Sequence, residues 1–308
     1  MKKIIATITL IILFLLPVYS QSADLATDEL IAQIDKINKA IASSPRNAAL
    51  YCERGELYLK LERLEDALSD FNYAIALSPG NAEYYALKAN TYSVLGKYHE
   101  ALNDWNLAIR YSPETGENYF LRGMVLANIG EFQKAADDFT RAIDLGIACQ
   151  GIYGNRGYVY SKLEKYEDAI SDLTKEIEMY PDDIIYIFLR SEIYTMQNKI
   201  TEALADLNNL LKRSPPEFLY MIYTSRGFVY SQTGKWHEAL RDANIAVELR
   251  PDHPDMYRNR AQIYEKLSGM TKNKREQVEY QRRAKEDFAM SEKLMAMQIE
   301  KIGYERRK

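Results

Sequence analysis

The chain has 308 residues, with 40 lysines and arginines against 44 aspartates and glutamates, a net charge of −4. That surplus of acid argues against non-specific binding to nucleic acid, whose phosphates call for a basic surface. The histidines number three, His99, His237 and His253, and no pair of them has the helical spacing of a metal site, so neither a metal nor a cofactor is expected.

The first residues are Lys2 and Lys3, followed by an apolar run from Ile4 to Leu16, Pro17, and Val18-Tyr19-Ser20. A basic start, a short apolar core and a small residue before the cut predict a secretory signal peptide over residues 1–20, cleaved after Ser20. The run falls short of the about 20 apolar residues that span a bilayer, and no cysteine follows the cut to carry a lipid. The expectation is an exported protein, periplasmic or secreted, with no stable membrane anchor. Removal of the two lysines leaves 38 basic against 44 acidic residues, a net of −6. The stretch from Thr271 onward holds 11 basic and 7 acidic residues, so the body before it stands near −10. The mixed signs of that last stretch read as a solvated face.

Leu25 to Ser43 predicts one amphipathic helix, the capping element of a segment 21–47. After it, two amphipathic helices and a short turn recur. The fourth copy is the clearest: Tyr153, Gly157 and Tyr160 fall at i, i+4 and i+7, and Ala169 and Leu173 continue on a second helix after a turn near Glu164 and Lys165. An antiparallel hairpin brings Tyr160 level with Ala169 and Gly157 level with Leu173, large against small. The small residue and its alanine recur as Gly55 and Ala67, Ala89 and Ala101, Gly123 and Ala135, Gly157 and Ala169, Ser191 and Ala203, Gly227 and Ala239, Ala261 and Ala284. The first five copies step by 34 residues, two extra residues precede the sixth, and the last carries a longer insertion between its helices.

A 34-residue period with an opening aromatic, a small residue, Tyr, Ala, an aromatic, Ala and a closing Pro resembles the tetratricopeptide repeat (TPR). The resemblance covers residues 48–308. It implies an all-α TPR solenoid, a right-handed superhelix of antiparallel helix hairpins, with about seven repeats and helical caps at both ends. Residues 48–270 hold repeats 1–6 and the first helix of repeat 7, and residues 271–308 its second helix and a C-terminal capping helix. With that span filled, a separate catalytic domain has no room, and no Ser-His-Asp or Cys-His arrangement suggests an enzyme. The stretch Gly227 to Lys235 only faintly resembles a phosphate loop, because six residues separate its glycines where four are needed and Trp236 follows the lysine.

Other features read as packing. Arg54, Lys88, Arg122, Arg156, Arg190, Arg226 and Arg260 each precede the small residue. Asp70, Asp104, Asp138, Asp172, Asp206, Asp242 and Asp287 each follow the alanine by three. The two positions lie at nearly equal heights on a hairpin, which predicts seven internal ion pairs rather than a basic ladder. Where the other repeats mostly place alanine opposite the opening aromatic, the fourth places Glu176; either it accepts a hydrogen bond from the Tyr153 hydroxyl or it tilts to the solvated rim. Gly146 is expected to be a hinge or a helix C-cap. Cys52 and Cys149 lie two repeats apart, too far to bridge, and are expected to be free thiols.

The resemblance also implies where a partner sits. In this family the first helices line a concave groove, and carried over by position it includes Glu56, Asn90, Phe120, Met124, Asn128 and Tyr158. Further along it continues with Phe188, Glu192, Met196, Thr224, Phe228 and Gln262. The alternative for Tyr158, Phe188 and Phe228 is packing between successive first helices. The family's clamp for a C-terminal carboxylate is not expected, since Cys52, Ala86 and Phe120 stand at its contact positions. The function read from this is a non-catalytic scaffold in cell-envelope assembly, binding a protein, peptide or partner helix in the groove. The alternatives are a secreted effector that binds a host protein and a substrate-holding subunit of an envelope enzyme. Self-association is left open.

Overall fold

In the computed structural model the described residues are 27–305, with side chains to residue 300. The expected signal peptide lies outside them. Among the described residues there are fifteen helices and no strand, so the fold class is all-α, as expected. The lone helix is α1 (Thr27–Ser43). The hairpins are α2 (Ala48–Lys60) with α3 (Leu64–Leu77), α4 (Ala82–Val94) with α5 (Tyr98–Tyr111), α6 (Gly116–Asn128) with α7 (Phe132–Asp144), and α8 (Ile152–Lys162) with α9 (Tyr166–Met179). Three more follow: α10 (Ile184–Met196) with α11 (Ile200–Arg213), α12 (Pro216–Gln232) with α13 (Trp236–Leu249), and α14 (Pro254–Met270) with α15 (Lys274–Glu305). The chain divides into two compact units, the first ending at Glu176 and the second beginning at Ile177.

Local chemistry starts and stops these helices. Asn47, Asn81 and Asp183 cap α2, α4 and α10 by accepting the backbone N–H groups of Ala49, Glu83 and Ile185 at 3.1, 2.9 and 3.1 Å. Each turn within the first six hairpins passes through one left-handed residue, Glu62, Gly96, Gly130, Glu164, Asn198 or Gly234. The next N–H then reaches back five residues, as Lys165 does to the Tyr160 carbonyl at 2.9 Å, which closes the last turn of the first helix. Gly146 follows α7 at φ 88° with its N–H on the Ile143 carbonyl, so it is a C-cap.

The large-against-small packing is real and tight. A Cβ added at Gly157 would lie 2.9 Å from Leu173, at Gly123 2.9 Å from Phe139, and at Gly55 2.6 Å from Phe71. Tyr51 packs with Ala74 and Phe71, and Tyr85 with Ala108 and Trp105. Ile187 and Leu210, the fifth repeat's paired replacements, are buried together. Tyr51, Tyr85 and Tyr257 also donate their hydroxyls to the carbonyls of Pro45, Pro79 and Pro251 at 3.1, 3.0 and 3.2 Å. The aromatic that opens a repeat thereby ties down the connection that precedes it.

The seven ion pairs form as expected. The guanidinium of Arg122 meets Asp138 through Nε and Nη2, both at 2.7 Å, and Arg54, Arg156, Arg190, Arg226 and Arg260 make the same fork. The remaining Nη1 of Arg122, Arg226 and Arg260 donates to Asn106, Asn208 and Asn244 on the preceding second helix, that of Arg156 to Thr140, and that of Arg54 to Asn38 on the lone helix α1. Each such arginine therefore joins its own hairpin to the one before, except Arg54, which joins the first hairpin to α1.

Lys88 is the exception, a single contact of 3.2 Å to Asp104. Burial raises the Asp104 pKa, and Lys88 opposes that only in part. A carboxyl raised in the folded state costs stability above its folded pKa and loses that cost as pH falls through it. Lys88→Arg is expected to stabilise the protein by about 1 kcal/mol at pH 7, by completing the fork. The gain should shrink on acidification through the Asp104 titration, which urea denaturation at a series of pH values measures.

The array closes by changing one face. On the second helices Leu68, Leu102 and Leu240, then Asn72, Asn106 and Asn244, then Ile75, Ile109 and Val247 share a register that serves the next hairpin. On α15 that register holds Lys285, Ala289 and Glu292, all exposed, so the last hairpin offers no such seat. The second helix of the seventh repeat and the expected C-terminal cap are one continuous helix of 32 residues.

Candidate functional site

In each unit the first helices set up the candidate surface. In the first unit α2, α4, α6 and α8 touch in succession, and in the second α10 touches α12. Thr224 of α12 spends its hydroxyl on the Tyr220 carbonyl at 2.7 Å and on Met256 Sδ of α14 at 3.3 Å.

The expected groove residues separate by exposure. Phe120, Met124, Tyr158 and Phe188 are buried, at 8, 7, 4 and 8% exposure. Phe120 lies against Phe139 of its own hairpin, with ring centroids 5.9 Å apart. Burial pushes the Tyr158 hydroxyl up to about 12. These four are part of the wall's packing. Asn90, Asn128, Glu192 and Thr224 are half-buried, and Glu56 and Gln262 are exposed. The large apolar members open to solvent are Met196 at 47% and Phe228 at 38%, both in the second unit. Val94, at the end of α4, is 55% exposed and was missed by positional reasoning.

The first unit's wall begins with acid. Burial and the neighbouring Glu83 and Glu53 raise the Glu56 pKa, with Lys60 opposing. The same three carboxylates add to burial in pushing the Cys52 thiol up to about 12, which keeps it protonated and unreactive. Cys52 and Cys149 are both free, as expected.

Glu176 does neither of the things expected of it. The Tyr153 hydroxyl accepts from Lys175 Nζ at 2.8 Å instead. The Glu176 side chain is fully buried and accepts the backbone N–H groups of Gly151, Tyr153 and Gly154 at 2.6, 3.1 and 3.1 Å. Helix α8 begins on Gly151 at φ 91°, without a capping side chain of its own, and the glutamate of α9 supplies the missing acceptor. The sequence signal was the absence of Asn, Asp, Ser or Thr at that helix start. The asparagine ladder was legible too, as Asn38, Asn72 and Asn106 at steps of 34.

Among the described residues no group of His, Cys, Asp and Glu could hold a metal ion, and no helix is long and apolar enough to cross a membrane. His99 and His237 sit in the first turns of α5 and α13, and His253 precedes α14.

Family models described as tetratricopeptide repeat match residues 48–81, 87–148, 151–183 and 227–287, together more than half of the chain. Among solved structures, the chain is similar to YrrB, a TPR protein with an unusual peptide-binding site. The identity is 22%, over 59% of this chain and 93% of that one, at a TM-score of 0.53. It is also similar to a tetratricopeptide repeat protein from Parabacteroides merdae (20% identity, 86 and 93% covered, TM-score 0.53). A third is the C-terminal part of a TPR repeat-containing protein from Cytophaga hutchinsonii (16% identity, 75 and 94% covered, TM-score 0.63). At these identities the likeness establishes the fold. No curated protein matches the sequence.

Proposed function

Because the chain belongs to the tetratricopeptide repeat family, we propose that it is a non-catalytic scaffold whose first helices hold a peptide or a helix of another protein. The observation that carries this reading is the exposure of Met196 and Phe228 at groove positions whose other large apolar members, Phe120, Met124, Tyr158 and Phe188, are buried. Exposed apolar side chains on a rigid wall suit the apolar anchors of an extended or helical partner. Methionine adds a flexible, polarizable contact that adapts to the partner's shape. Half-buried Asn90 and Asn128 in the first unit, and Glu192 in the second, supply polar groups for a partner's backbone. Similarity to a structure with a peptide-binding site supports the same direction.

The location we propose is outside the cytoplasm, from the leader-like residues 1–20, and the setting is assembly of the cell envelope. Cross-linked capture from an envelope fraction tests both parts. Phe228→Glu is expected to remove a specific partner band while helicity stays unchanged. A band that survives the substitution would discard this anchor.

A further inference from the structure

The seventh hairpin departs from the period in a way that builds something. Ala261 and Ala284 stand 23 positions apart where the other six pairs stand 12 apart, an insertion of eleven residues. The insertion lengthens α14 and starts α15 early, and the start is firmly held. Thr271 Oγ1 and Asn273 Nδ2 donate to Glu276 at 2.8 and 3.2 Å, and Asn273 accepts the Arg275 N–H at 3.0 Å.

Between α13, α14 and α15 lies a cavity of about 490 Å3, lined by residues of all three helices. Leu240 and the Tyr264 and Tyr280 rings, stacked with centroids 5.9 Å apart, give it an apolar lining. Its carboxylates are engaged, Glu276 by Thr271 and Asn273, and Glu279 by Arg282 and Arg283 at 2.8 and 2.7 Å. The Arg275 guanidinium lines the same cavity and, among the described residues, pairs with no carboxylate; Lys272 and Lys274 beside it have no ion pair either.

From this we infer a second docking site, for an acidic peptide segment of a partner protein, with an apolar side chain seated against Leu240, Tyr264 and Tyr280 and a neighbouring carboxylate on Arg275. The volume falls within the about 300–1,000 Å3 that hold a bound group of this size. Charge sets the choice of occupant. Arg275 lines the cavity without an ion pair, and Lys272 and Lys274 adjoin it in sequence on a protein that is acidic elsewhere, so an acidic segment gains contacts here that a basic one loses. A planar guanidinium beside apolar rings fits a carboxylate next to an aromatic or aliphatic side chain.

The test uses the full chain and a fluorescein-labelled peptide, acetyl-Glu-Phe-Glu-Phe-Glu amide, read by anisotropy at low and moderate salt. Binding that weakens with salt is expected, with a loss of about tenfold or more in Arg275→Glu, and a smaller loss in Tyr280→Ala. Phe228→Glu, which alters the first-helix wall, is expected to leave the affinity unchanged, so the two sites fail separately. No binding to the unaltered chain, equal binding by Arg275→Glu, equal binding of the lysine counterpart of the peptide, or loss of binding in Phe228→Glu would each overturn the proposal.

Discussion

Glu176→Ala is expected to cost at least about 3 kcal/mol, the largest effect of any single substitution considered for this protein. The carboxylate is fully buried and carries the first backbone donors of α8, Gly151 on Oε1 and both Tyr153 and Gly154 on Oε2. Burying an ion is expensive unless its lone pairs are satisfied, and here a helix N-terminus satisfies them with aligned N–H groups. Alanine removes the acceptor and leaves those donors in a space the side chain used to fill. Glu176→Gln keeps one oxygen but turns an amide donor toward another donor, so an intermediate loss is expected. Because a repeat array opens hairpin by hairpin, the sharpest readout is local. Amide hydrogen exchange at Tyr153 and Gly154 should accelerate in Glu176→Ala before distant hairpins respond. Unchanged protection at those amides would refute the capping role.

Two chemically identical substitutions should move stability in opposite directions. In Gly55→Ala the new methyl would sit 2.6 Å from the Phe71 ring, which is fully buried and has nowhere to go. A loss of about 2 kcal/mol is expected. In Gly227→Ala the nearest atoms, the Ala239 carbonyl oxygen and Asp242 Cβ, are both at 3.4 Å, an ordinary contact. The room exists because Ala243 stands in the sixth hairpin where Phe71 stands in the first. Replacing a mid-helix glycine that needs no special space should stabilise by about 0.5–1 kcal/mol. Urea midpoints of the two variants, measured side by side, decide the matter. Equal destabilisation by both would mean that the size of the opposing residue does not set the demand for glycine.

The hairpins, their count, the seven ion pairs and the isolation of the two cysteines are all legible in the sequence. Each of these rests on a spacing within or between copies, and a spacing is a one-dimensional property that period and helix geometry convert directly into contact. The tertiary structure decided which residues are open. Phe120, Tyr158 and Phe228 occupy related places on first helices, yet only Phe228 reaches solvent, at 38%. How far one helix covers the next depends on the side chains of both, and that is not written at any single position. Glu176 makes the same point from the other side. Its neighbours in sequence suggest a misplaced charge, and only the approach of the α8 N-terminus from 22 to 25 residues away makes it an anchor. Periodic interactions were legible because every repeat restates them, whereas the cap on α8 and the placement of Arg275 each occur at one departure from the period, where there is no second copy to read.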